Sequence, residues 1–276
     1  MTREAVCISG LRVRYAPGED PALSIDALSV AAGARLAVIG PSGSGKTTLL
    51  RAVQGLVAPS EGTVTVDGIP TVSRAARRRA FRRRHAAVFQ EFQLVERASV
   101  LRNVLCGRLG HAPVLSSVLG RFGADDRAAA FAAIEATGLL EFAHRRVDTL
   151  SGGQRQRVAV ARALAQAPDL ITADEPVSNL DPVVADDILR AVMAPAGDRK
   201  IAVLAVVHHP ALATAHADRV IGLAGGRIVY DSADGAPLDA PALRRVYGRS
   251  LPPQIVQDID ARERGDEQRR SPRNVA

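Results

Sequence analysis

The sequence predicts an α/β fold with a largely parallel sheet, an antiparallel β-rich N-terminal part and an inserted helical region. Three observations carry that expectation. In the second half, apolar strand-like runs at 170–173, 201–207 and 220–223 alternate with helical segments, the pattern of a sheet whose crossovers are helices. Residues 4–67 read mainly as strands and end on Asp67-Gly68, a hairpin signal. Between these parts, about 100–165 reads as largely helical, with alanine-rich stretches at 125–137 and 154–166.

Taken in order, 6–15 and 23–30 mix apolar and polar residues as half-covered strands do, and 62–66 (Gly-Thr-Val-Thr-Val) leads into the Asp67-Gly68 turn. Residues 35–39 form a short apolar run that feeds a Gly/Ser-rich turn. The stretch 46–55 has helical spacing at Leu49, Leu50 and Val53, with Gly55 as its stop. Residues 74–84 hold seven arginines. With Phe81 as their only aromatic residue they lack the interleaved stacking platform of a nucleic-acid surface, and they read as a solvated helical face. Contact with anionic lipid headgroups is the alternative. Beyond Tyr247 come Pro252-Pro253 and a mixed-charge stretch, 258–276, almost without apolar residues. We therefore expect one domain over 1–250, a helical subdomain at about 91–165 within it, and a disordered tail over 251–276.

Composition narrows the classes. Of 276 residues, 47% are hydrophobic and 24% charged, which excludes a collagen-like or wholly disordered chain. Cys7 and Cys106 are far apart and show no metal-site spacing, so neither a disulfide framework nor a cysteine zinc site is expected, and a reducing cytosol fits. The first ten residues lack the apolar core of a secretory signal. No apolar run approaches the ~20 residues of a membrane helix. The net charge of +7 suits a polyanion without saying which. More telling, only Lys46 and Lys200 among the 36 basic residues are lysine, so each raises the question of why arginine would not serve there.

Gly40-Pro41-Ser42-Gly43-Ser44-Gly45-Lys46-Thr47 fits G-x4-G-K-[ST] and sits between an apolar strand and a helix, as that motif requires. Its glycines let successive backbone N–H groups and the helix N-terminus face phosphate oxygens. Lys46 supplies a compact charge where the planar guanidinium of arginine would not fit, and Thr47 offers a hydroxyl to Mg²⁺. Residues 170–175, Leu-Ile-Thr-Ala-Asp-Glu, form an apolar strand ending in two acids. Because side chains alternate along a strand, Asp174 and Glu175 face different ways, the first suited to Mg²⁺ and the second to a water. Thr172 is more polar than such a strand needs. Leu150-Ser151-Gly152-Gly153-Gln154 offers small residues, a hydroxyl and a helix N-terminus, which serves either as a second anion site or as a plain helix cap.

With these three elements in order, the chain resembles the ATP-binding-cassette ATPases over roughly residues 4–248. The resemblance implies a P-loop NTPase core with an inserted helical signature subdomain, and ATP and Mg²⁺ as cofactors. Nucleotide contacts then fall to Tyr15, stacked on adenine, to Gly40, Pro41, Ser42, Gly43, Ser44, Gly45, Lys46, Thr47 and Thr48, and to Ser151, Gly152, Gly153, Gln154 and Asp181. Metal contacts fall to Thr47, Gln90 and Asp174; catalytic roles fall to Glu175, Gln90 and the switch histidine His208. His209 adjoins it, but counting back from Ala217-Asp218-Arg219 favours His208. The same resemblance implies that two cassettes pair head to tail around two ATP molecules.

The single phosphate loop and the missing membrane segment liken the chain to importer subunits that energise a separate permease. Residues 88–95, 99–109, 114–120 and 242–248 look like the phosphonate-import ATPases, whereas His208-His209-Pro210-Ala211 departs from their usual His-Gln-Val-Asp. Expected partners are a second cassette, with a homodimer preferred, integral membrane permease subunits and, indirectly, a substrate-binding protein. No nucleic acid is expected, and the expected place is peripheral, on the cytoplasmic face of the inner membrane. The alternatives are a soluble cassette ATPase acting on nucleic acid or ribosomes, an importer ATPase for another cargo, and a regulatory nucleotide-binding module. The roughly hundred non-heptad residues between the two loops speak against the first, and the filled hydrolytic positions against the last.

Overall fold

The computed structural model describes residues 3–16, 18–72, 75–89, 92–111, 120–177, 182–196, 200–248 and 256. The N-terminal strands β1 (Glu4–Val13), β2 (Leu23–Ala31), β4 (Glu61–Val66) and β5 (Ile69–Pro70) form an antiparallel sheet in the order β2-β1-β4-β5. Asp67 and Gly68 join the last two with φ of 50° and 72°, the positive values that a tight hairpin turn demands.

The second sheet has the order β10-β9-β3-β8-β7-β6, with β3 (Arg35–Ile39), β6 (His85–Val88), β7 (Leu170–Asp174), β8 (Ala202–Val206), β9 (Arg219–Ala224) and β10 (Arg227–Asp231). Its pairings are parallel except β9 with β10. Around it lie α1 (Lys46–Val53), α2 (Ala75–Arg84), α3 (Val100–Leu105), α4 (Ala124–Ala136), α5 (Gly152–Ala165), α6 (Pro182–Met193), α7 (Pro210–His216) and α8 (Ala240–Tyr247).

Two apolar cores flank the parallel sheet, and strand periodicity divides the side chains between them. Leu36, Val38, Ala202, Leu204 and Val206 pack with α1 and the antiparallel sheet; Ala37, Ile39, Val203, Ala205 and Val207 pack with the helical region and α6. Covered on both faces, these strands need the unbroken apolar runs seen in the sequence. The arginine-rich segment is helical, as expected. Its Arg82 and Arg83 are exposed, while Arg84 pairs with Asp67 and Asp169, bridging the hairpin turn and the start of β7. Among the described residues no helix is long and apolar enough to cross a membrane. The 251–276 tail lies outside the described residues apart from Val256.

Candidate functional site

β3 delivers the chain into Gly40, whose φ is 150° and where a Cβ would stand 2.3 Å from the Leu223 carbonyl oxygen on β9. Only glycine fits, so the loop is seated directly on the neighbouring strand. Gly45, at φ 101°, is the N-cap of α1. The loop and the start of that helix enclose a cavity of about 330 Å³, lined by Tyr15, Ala22, residues 42–48 and Glu175. The Tyr15 ring is 59% exposed, and its hydroxyl lies 3.1 Å from Thr48 Oγ1. Lys46 is buried, and its Nζ donates to the carbonyl oxygens of Gly40 and Pro41, both at 2.8 Å. Burial lowers its pKa, while the Glu175 and Asp174 charges push it back up. A buried lysine at the first turn of a helix suits a polyanion, which the helix N-terminus also attracts.

β7 ends at Asp174, and Glu175 follows it off the strand, so the alternation expected for the two acids does not apply to the second of them. Asp174 has a buried Oδ1 with no hydrogen-bond partner, and its pKa is raised by burial first and by Glu175 second, against Arg51, Lys46 and His208. An orphaned carboxylate oxygen and the Thr47 hydroxyl at the start of α1 are hard-oxygen donors of the kind that suit Mg²⁺. Glu175 stands at φ 49°, a left-handed conformation uncommon for a residue with a side chain. His208 Nε2 is 2.6 Å from Glu175 Oε1, whereas His209 is the N-cap residue of α7. Of the adjacent histidines, His208 is thus the one at the acid.

The signature segment stands apart. Ser151 Oγ accepts from the Gln154 N–H and Gln154 Oε1 accepts from the Ser151 N–H, a reciprocal cap on α5. A Cβ on Gly152 would meet nothing within 4 Å, and none of these four residues lines the cavity. The structure therefore brings Tyr15, residues 42–48, Asp174, Glu175 and His208 together and leaves Ser151–Gln154 outside. Gln90 and Asp181 lie outside the described residues. Sequence reasoning missed Ala22, a cavity wall, and Arg51, whose charge acts on Asp174. Arg51 had a signal, since it lies on the helix that the phosphate loop opens.

An enclosed lysine in a glycine loop opening a helix, beside a strand ending in acids, defines a nucleoside-triphosphate-binding ATPase. Residues 23–178 match the family model described as ABC transporter. The chain belongs to that family and is an ATP-binding cassette. It is 44% identical to the Phosphonates import ATP-binding protein PhnC of Bordetella parapertussis over 246 residues, covering 87% of this chain and 95% of that one. It is also 44% identical to the protein of the same name from Thiobacillus denitrificans, covering 89% and 93%. Among solved structures it resembles a dimeric ATP-binding cassette in a post-hydrolysis state with ADP and Pi, at 31% identity and TM-score 0.67, covering 82% and 97% of the two chains. A nucleotide-free cassette from an ABC transporter aligns with TM-score 0.74 at 25% identity, covering 89% and 99%.

Proposed function

We propose that this chain is the ATP-hydrolysing subunit of an importer, paired head to tail with a second copy and energising a separate membrane permease for phosphonate or a related phosphorus oxyanion. The observation that carries the ATPase chemistry is a cavity lined by buried Lys46 and by Glu175, with Asp174 acting on the Lys46 charge and His208 paired to Glu175. Two relatives at 44% identity, both named for phosphonate import, support the cargo.

In this reading the loop amides and Lys46 bind the β- and γ-phosphates, and Tyr15 carries the adenine. Mg²⁺, held by Thr47 and Asp174 with Gln90, supplies charge neutralisation at the phosphoryl oxygens. Glu175 Oε1 orients the attacking water and takes its proton, and His208 holds that carboxylate in place. Ser151–Gln154 reaches the triphosphate of the facing copy, with Asp181 at the contact between them. This cavity is then half of a pair, and ATP is what joins the halves.

The working place is peripheral, on the cytoplasmic face of the inner membrane against permease subunits, with a substrate-binding protein acting from the far side. The test is ATPase activity of the chain purified with its permease in lipid. Stimulation by a binding protein loaded with a phosphonate, and not by the empty protein, is the expected outcome. Stimulation by RNA or ribosomes in its place overturns the importer reading.

A further inference from the structure

Three polar side chains meet beneath the phosphate loop in a layer that is otherwise aliphatic. Thr172 on β7 is fully buried. Its hydroxyl accepts from Gln54 Nε2 at 3.0 Å, lies 2.9 Å from His85 Nε2 and donates to the Ala86 carbonyl at 3.4 Å. A hydroxyl has one donor and two acceptor sites. With the donor on Ala86, all three contacts are satisfied when His85 is neutral and carries its proton on Nε2. His85 also stacks on Phe81, with centroids 5.4 Å apart and planes inclined at 22°. The neighbours in this layer include Leu49, Leu50, Val53 and Leu204.

Placing a buried hydroxyl and two half-buried polar groups where leucines would pack stabilises little, since net gains per hydrogen bond are small. What hydrogen bonds add to an aliphatic layer is fixed distance and direction. The elements they tie are specific. Gln54 is the C-cap of α1, whose first residues are Lys46 and Thr47. Thr172 precedes Asp174 by two residues and so shares its face of β7. His85 opens β6, which pairs with β7 through Ala87 opposite Thr172 and ends at Val88, two positions before Gln90 in sequence. The triad therefore links the three elements that carry, or lead to, the proposed metal contacts Thr47, Asp174 and Gln90. An eight-residue helix is a stiff rod of about 12 Å, so pinning its C-terminal end to β7 governs where its N-terminal end stands relative to Asp174.

We infer that Gln54, Thr172 and His85 are positioning residues that hold α1 in register with β7 and β6, and thereby set how strongly a divalent cation tightens nucleotide binding. This rests on the Mg²⁺–ATP reading above. The test measures binding of a fluorescent ATP analogue, with and without Mg²⁺, on a Glu175→Gln background that removes turnover. Thr172→Val keeps the shape and deletes the hydroxyl. It should lower the Mg²⁺ enhancement of affinity about fivefold, the order of one net hydrogen bond, with metal-free affinity within about twofold. Thr172→Ser should restore the enhancement. Gln54→Met, at a half-buried position, should act in the same direction and substitutes for Thr172→Val should that variant not fold.

Asp174→Asn is the control. If it leaves the Mg²⁺ enhancement unchanged, the metal-site reading itself fails. If it abolishes the enhancement while folded Thr172→Val or Gln54→Met keeps the wild-type value, the positioning inference alone is overturned. A Thr172→Ser protein as impaired as Thr172→Val also overturns it.

Discussion

The phosphate loop and the signature loop each place small residues before a helix N-terminus, yet their surroundings are opposite. Gly40 is pressed on β9, Lys46 is buried and bonded to its own loop, and cavity walls come from Tyr15, Ala22 and Glu175. Gly152 faces open space, and Ser151 and Gln154 bond reciprocally to cap their own helix. The first loop is a finished half-site. The second presents helix-terminal N–H groups to whatever approaches from outside, which favours a second chain as their ligand-bearing partner.

The sharpest way to break this contrast is Lys46→Ala. Removing the lysine cation from the cavity should abolish nucleotide binding and lower turnover at least ~10³-fold, judged against the 10²–10³ lost with a single oxyanion donor. Fluorescent-nucleotide titration and phosphate release check it. Ser151→Ala should leave nucleotide affinity of the isolated chain unchanged, a difference that separates the two loops directly.

Next in size, Glu175→Gln should lower hydrolysis by roughly 10²–10⁴, as expected for loss of a general base, while ATP still binds. If the signature loop is completed by a partner, this variant should run as an ATP-dependent dimer in size-exclusion chromatography. A variant that binds ATP and stays monomeric removes the two-chain account; one that hydrolyses at near-normal rate removes Glu175 from its role.

A third difference lies under the finished half-site, where burial pulls the His85 pKa from 6.5 down to about 4. The folded state therefore disfavours the charged ring. Between pH 6.5 and 4 the unfolded chain binds the extra proton, so stability falls as pH falls through that window and is level above it. The shift corresponds to a loss on the order of 3 kcal/mol by the lower limit. Urea midpoints at pH 7 and 4.5 should fall less in His85→Gln, which cannot titrate, than in wild type.

The smallest effect is the cap itself. Ser151→Ala should cost about 1 kcal/mol, read as a thermal midpoint lower by ~2–4 °C, with turnover reduced beyond what that loss explains. Turnover that tracks stability alone returns Ser151 to a helix-capping role.

Much of this organisation was legible because it rests on local rules. The glycine loop, the acid-ended strand and the Asp67-Gly68 turn each need particular residues at particular φ or charge, and those stand in the sequence. Strand order did not. β3 lies between β8 and β9, and that arrangement is set by how helical crossovers pack rather than by any run of residues. β6, only four residues long, was hidden behind the arginine helix. β10 was missed despite a readable signal, the Gly225-Gly226 turn with φ of 53° and 73°. Thr172 stood out as too polar for its strand, but its partners Gln54 and His85 lie 118 and 87 positions away. Counting back from Ala217-Asp218-Arg219 already favoured His208 over His209, and the physical reason came from the fold, where His208 meets Glu175 and His209 begins a helix.

The exposed Tyr15 ring carries a consequence for selectivity. A flat face with a single hydroxyl, itself engaged by Thr48, offers stacking area but no donors or acceptors arranged around a purine edge. Stacking is tolerant of base identity because every base has such a face. Under the proposed reading the phosphates rather than the base set selectivity, and guanosine triphosphate should compete with ATP far better than adenosine diphosphate does for closing the pair.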